Sequence, residues 1–213
     1  MRLIDLSHPI RENMPLYPGT PTVRIEQLRL IETDGYREKR IIFTTHTGTH
    51  VDAPAHILEN GKTLDQFPLS RFYGKGIVLD VRAFKGQSIP DEFLQAQNSW
   101  QSAEFVLFFT GFSARWGSEA YFKDFPVLSL AAADLLINKG KLKGVGFDAV
   151  SPDTMDSNDL PVHHKLLNAE KLIIENLNDL SLLLNKEFEL SLFPLPVSDA
   201  DGMPVRSVAL LQD

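Results

Sequence analysis

The chain has 213 residues, 43% of them hydrophobic, and a formal net charge of −7, the profile of one ordinary globular domain with a sizeable core and no basic run to hold nucleic acid. It has no cysteine, which excludes disulfides, thiolate metal ligands and a cysteine nucleophile, so any metal must sit on nitrogen and oxygen. No apolar run reaches membrane-spanning length and the N-terminus lacks the apolar stretch of a signal peptide, so the expected location is the cytoplasm, with no membrane partner.

In chain order, residues 3–6 alternate as a first strand, and residues 9–21 are too rich in proline for regular structure and are expected to form an ordered loop. Residues 23–30 alternate again, and residues 40–45 carry the β-branched and aromatic side chains of another strand. Residues 75–81 and 104–110 are short apolar runs bounded by turn residues, as buried strands are. The clearest helical pattern is 129–139, with Ser129 as N-cap and Gly140 just past the end. Weaker helical patterns cover 90–98 and 160–168, and strands are expected at 144–147, 172–175 and 207–211. Many strands with few helices between them predict a mixed sheet in an α/β fold, and the lack of repeats or linker-like segments predicts a single domain over 1–213.

Between the third and fourth of these strands lies the densest group of metal-capable side chains. Residues 46–56, His-Thr-Gly-Thr-His-Val-Asp-Ala-Pro-Ala-His, hold three of the six histidines and a carboxylate, a donor set suited to zinc, manganese or iron. The threonines, Gly48, Val51 and Pro54 disfavour a helix here. On a strand, positions 46, 48, 50 and 52 share one face, but His46 and His50 would then stand roughly 13 Å apart between Cα atoms, near the limit for closing on one ion. A bend is therefore expected at Gly48. Asp52 can complete the set, while Pro54 turns His56 away, near the ion without binding it.

A first-row ion needs further ligands. The adjacent His163 and His164 offer one nitrogen, and Glu175 sits in the apolar run 172–177, where an acid is costly unless paired or bound to a cation. Other polar positions have structural readings. His8 beside Asp5 and Ser7 reads as a loop-fixing residue, Asp148, Ser151 and Asp153 as turn residues that support the site, Arg206 as an ion-pair partner, and Phe112 and Trp116 as core aromatics.

Residues 46–56 resemble, almost letter for letter, the signature of the metal-dependent cyclase/hydrolase family that includes bacterial kynurenine formamidase and isatin hydrolase. The likeness extends to Asp5-Leu6-Ser7-His8-Pro9, Tyr17-Pro18-Gly19, Thr110-Gly111, Trp116, the stretch 146–153, the stretch from His163 to Glu175 and the stretch 201–206. It implies a swivelling β/β/α domain with a barrel-like central sheet, assembled as a homodimer or homotetramer. It also implies two divalent ions, Zn²⁺ first and Mn²⁺ second: His46, His50 and Asp52 on one, with Asp52 and Glu175 bridging to a second held by His163. His56 matches the family's proton-transferring histidine, and the loop carrying Tyr17 is implied to lie over the substrate.

Such a site lowers the pKa of a water and polarises a carbonyl, so the expected activity is hydrolysis of C–N bonds in small amides, with an N-formyl arylamine such as N-formylkynurenine the leading substrate. Arylformamidases of this family commonly carry tryptophan where this chain has Tyr17 and an acid where it has Thr20. The alternatives are a cyclic-amide or lactone hydrolase of the isatin hydrolase kind and a non-catalytic metal-dependent binding protein. The latter has no need of a proton shuttle at His56.

Overall fold

The computed structural model describes residues 1–211. In chain order the elements are β1 (Arg2–Asp5), β2 (Arg24–Arg29), α1 (Ile31–Asp34), β3 (Glu38–Ile42), β4 (His50–Asp52), β5 (Tyr73–Asp80), β6 (Ser88–Ile89), α2 (Asp91–Gln95), β7 (Phe105–Phe109), β8 (Val127–Leu128) and α3 (Leu130–Ile137). Then follow β9 (Gly144–Phe147), α4 (Pro161–Asn168), β10 (Leu172–Glu175), β11 (Phe188–Ser191), β12 (Gly202–Pro204) and β13 (Val208–Leu211).

Nine strands form one mixed sheet in the order β1-β13-β11-β5-β7-β9-β10-β4-β12. The central β5, β7, β9 and β10 run parallel, and the pairs outside them are antiparallel. Each parallel neighbour is reached through one of the helices α2, α3 and α4, because a parallel connection needs a crossover. The central strands are apolar on both faces for a visible reason. In β7, Val106 and Phe108 pack with Ala132 and Leu136 of α3 and Leu166 of α4, while Phe105, Leu107 and Phe109 pack on the other side with Phe72, Leu190 and Ala209. Ser129 caps α3 as expected, its Oγ accepting the Ala132 amide at 3.0 Å.

The sheet curls into a half barrel. Past the end of β1, which pairs with β13 at one edge, Ser7 bridges to Leu177, and the Asn178 amide donates to the Leu6 carbonyl at 2.8 Å. The N-terminal segment thus ties one edge to the strand carrying Glu175. Among the described residues no helix is long and apolar enough to cross a membrane.

Some expectations change in detail. The strand expected at 40–45 ends at Ile42, and residues 43–45 leave it half-buried. The helices expected at 90–98 and 129–139 end at Gln95 and Ile137. Strands β6, β8 and β12, of two or three residues, are too short to produce a readable period, and the four-residue β11 was not expected either. Finally, among the described residues β2 and β3 pair only with each other, and residues 27–42 are exposed throughout.

Candidate metal centre

The signature segment is a turn followed by a very short strand. Only His50–Asp52 is extended, so the expected shared strand face over 46–52 is corrected: residues 46–49 turn before β4 begins. The turn bends where expected. Gly48 has φ +63°, a left-handed conformation that favours glycine, and a Cβ there would stand 2.8 Å from the flexible Met14 methyl, which would have to shift. The bend brings the His46 and His50 rings to 5.0 Å, edge to face.

Strand β4 lies between β10 and β12. Its register sets His50 opposite Glu175, and Asp52 opposite Ile173 on one side and Gly202 on the other. A Cβ on Gly202 would meet the His46 ring at 2.5 Å, so this glycine makes room for that imidazole. From the helix layer, α4 supplies His163. Asp153 accepts the Val162 and His163 amides at the start of α4, and its Oδ2 lies 2.7 Å from His163 Nδ1. That contact leaves Nε2 facing the sheet. His164 is exposed, so burial selects His163 from the adjacent pair.

The two carboxylates each divide their oxygens. Asp52 Oδ1 lies 2.7 Å from His46 Nδ1 and 3.2 Å from His50 Nε2, while Oδ2 lies 3.9 Å from His163 Nε2. Glu175 sets Oε1 3.3 Å from His163 and Oε2 3.5 Å from His50. His50 Nε2, Asp52 Oδ2 and Glu175 Oε1 are buried without a hydrogen-bond partner. Leaving such atoms bare costs about 1–3 kcal/mol each, and more for charged groups. A divalent cation accepts an imidazole and two carboxylate oxygens together, so these residues fit one.

Electrostatics agree. Burial raises Glu175, and the neighbouring Asp52 charge raises it further. Burial alone would raise Asp52 too, but His50 and His46 outweigh it and hold this carboxyl well below its ordinary range. Burial would lower His46 and His163, yet the carboxylates around them hold both up at about 10. The site attracts positive charge, and protons and cations compete for the same nitrogens.

A cavity of about 550 Å³ opens onto this group, lined by Tyr17, Thr20, His56, Tyr121, Ser151 and Asn158 among others. A larger groove of about 1060 Å³ along 77–80 and 184–187 contains no histidine and lies away from the donors. Tyr17 reaches the cavity wall from the proline-rich loop and is 44% exposed. His56, on a short 3₁₀ turn started by Pro54, sets its ring 3.9 Å from that of His46 with the planes tilted by 34°. His8 stacks flat on Trp116 at 3.9 Å, and its amide donates to Thr49 Oγ1.

The Cyclase family model matches residues 4–154. The chain belongs to the cyclase family. The kynurenine formamidase of Salinibacter ruber is 34% identical over 98% of this chain and 97% of its own length. Isatin hydrolase A from Labrenzia aggregata, bound to benzyl benzoate, has a TM-score of 0.88 at 25% identity, covering 100% of this chain and 94% of that one. A structure described as a potential metal-dependent hydrolase with cyclase activity has a TM-score of 0.83 at 28% identity, covering 100% and 98%. This protein is accordingly a metal-dependent hydrolase of the cyclase family.

In this cyclase-family hydrolase, sequence reasoning left Asp201 without a role. Its Oδ2 lies 2.9 Å from His46 Nε2 and 3.7 Å from His56 Nδ1, making a third group of donors with those histidines. The hydrogen bond to His46 holds the Asp201 carboxyl far below its ordinary range. The available signal was its place in the matching stretch 201–206, but nothing local pairs residue 201 with residue 46. Asp148 accepts the Thr110 and Gly111 amides in a turn, and Arg206 pairs with Asp5 at 2.7 Å, both as the sequence suggests.

Proposed function

We propose that this hydrolase holds two divalent cations, Zn²⁺ first and Mn²⁺ second, and cleaves the C–N bond of small aryl amides, N-formyl arylamines foremost. The observation that carries the reading is the division of oxygens on Asp52 and Glu175 between two histidine groups. His46, His50 and Asp52 would hold one cation, and His163 the other, with Asp52 and Glu175 shared. Bound there, divalent cations lower the pKa of a water and polarise an amide carbonyl. His50 offers Nε2 because its Nδ1 donates to the Gly48 carbonyl at 2.8 Å. Asp153 orients His163 in the same way. His56 turns Nδ1 toward Asp201 and keeps Nε2 for the cavity, where it donates a proton to the departing nitrogen. Burial, with His46 and His163 nearby, lowers the His56 pKa and favours release of that proton.

The name of the Salinibacter ruber relative supports an N-formyl arylamine substrate. One observation favours a second reading: no lysine or arginine is among the described residues lining the cavity, so outside the proposed metal centre no permanently charged side chain awaits a substrate carboxylate. An uncharged cyclic amide of the isatin kind suits that wall. The proposed partner for the exposed β2–β3 hairpin is a second copy of the chain, giving a homodimer or homotetramer, and the proposed location is the cytoplasm. The deciding assay measures turnover of N-formyl arylamines with and without a carboxylate, and of an isatin-like ring, before chelation, after it, and after Zn²⁺ or Mn²⁺ is restored. Loss on chelation and recovery on add-back are expected; turnover that survives complete metal removal would overturn the reading.

A further inference from the structure

Just beyond Glu175, the end of β10 carries a polar group that the proposed chemistry does not use. Asn176 has φ +56°, a left-handed conformation that asparagine tolerates better than most residues. This reversal lets Glu175 and Asn176, consecutive in sequence, line the same cavity where a continuing strand would send them to opposite faces. Asn176 Nδ2 donates to the Gly48 carbonyl at 2.9 Å, the carbonyl that also accepts from His50 Nδ1. Asn176 Oδ1 in turn accepts the hydroxyl of Tyr121 at 2.7 Å. Tyr121 is fully buried, so its hydroxyl has no water to turn to.

The arrangement solves a problem set by Gly48. A glycine at positive φ has a peptide group that rotates easily, and rotation would take away the acceptor on His50 Nδ1. The ring could then carry its proton on Nε2, the nitrogen a cation needs. We propose that Tyr121 and Asn176 are positioning residues: Tyr121 orients the Asn176 amide, the amide pins the Gly48 carbonyl, and that carbonyl keeps His50 Nε2 free. The inference rests on the two-cation reading, with His50 on the ion shared with His46 and Asp52.

The test titrates chelator-stripped protein with Zn²⁺ alone, following free Zn²⁺ with a competing chromophoric chelator, and records thermal melts in parallel. Tyr121→Phe removes only the hydroxyl, and Asn176→Gly removes the amide while suiting the left-handed backbone. Each variant should weaken one of the two Zn²⁺ affinities about tenfold, in the range typical for partners behind metal ligands, and leave the ion held by His163 unchanged. The double variant should bind no more weakly than Asn176→Gly alone, since Tyr121 acts through Asn176. Equal weakening of both ions would indicate general loosening and overturn the assignment, as would wild-type affinity in Tyr121→Phe or a Tyr121→Phe effect that persists in the Asn176→Gly background. A wild-type protein that takes up no Zn²⁺ would instead refute the two-cation reading, and the relay with it.

Discussion

His50 and His56 are six positions apart and differ in what surrounds them. His50 is buried on β4 with one ring nitrogen satisfied by Gly48 and the other bare, whereas His56 is half-buried on the cavity wall with Nδ1 toward Asp201. The difference predicts separable effects. His50→Ala should lose bound cation, while His56→Ala should retain it and lose kcat by roughly two to four orders of magnitude. Elemental analysis beside the kinetics checks this, and equal metal loss in both variants would make His56 a ligand. The pair His163 and His164 offers a matching comparison: His163→Ala should lower the cation content and His164→Ala should not, because only His163 faces Asp52 and Glu175. At this scale the types of donor were legible. Local pattern left the adjacent His163 and His164 open, the family resemblance chose His163, and the orientation of α4, which buries His163 and exposes His164, gives the physical reason.

Among the elements, β4 and β12 are short but set the site through register. Gly202 on β12 stands beside Asp52 and under the His46 ring. Gly202→Ala should therefore displace His46 and weaken cation binding while leaving the melting temperature of the cation-free protein close to wild type. Unchanged affinity would mean that His46 moves aside without consequence. A contrasting change lies at the start of α3, where Ser129→Ala removes the N-cap and should cost about 1 kcal/mol of stability in denaturant titrations, with activity intact. The expected strands and α3 were readable because each sits in an alternating or apolar run, or carries a cap, that stands out from its flanks. Strands β6, β8, β11 and β12 gain their hydrogen bonds from partners distant in sequence, and local pattern carries no trace of that pairing.

Over the whole molecule, opposed charges make cation binding a stability term. Ligand nitrogens must shed protons to bind a cation, so affinity should fall as pH falls, and calorimetry in buffers of different ionisation enthalpy should detect proton release on binding. Removing the cation with a chelator should lower the melting temperature, since a ligand held only by the native state stabilises it. The exposed hairpin gives a further expectation. A lone two-stranded hairpin is marginal in water, yet this one exposes Leu28, Ile41 and Ile42. Its residues 24–42 carry five basic and four acidic side chains, leaving the acidic excess to the rest of the chain. Sedimentation at micromolar concentration should find a dimer or tetramer that the double change Ile41→Asp, Ile42→Asp dissociates; a monomer in the unaltered protein would contradict the proposed self-association. The sequence by itself determined the α/β class with a mixed sheet, the family, the exclusion of thiolate chemistry and the oxygen and nitrogen donors, because residue type, period and a long contiguous motif are properties of local chain. Only the tertiary structure decided the strand order and register, the approach of Asp201 to His46 and His56, and which oxygens of Asp52 and Glu175 face which histidines. Those arrangements depend on strand register and helix placement across more than a hundred residues, where packing of the two cores outweighs any local preference.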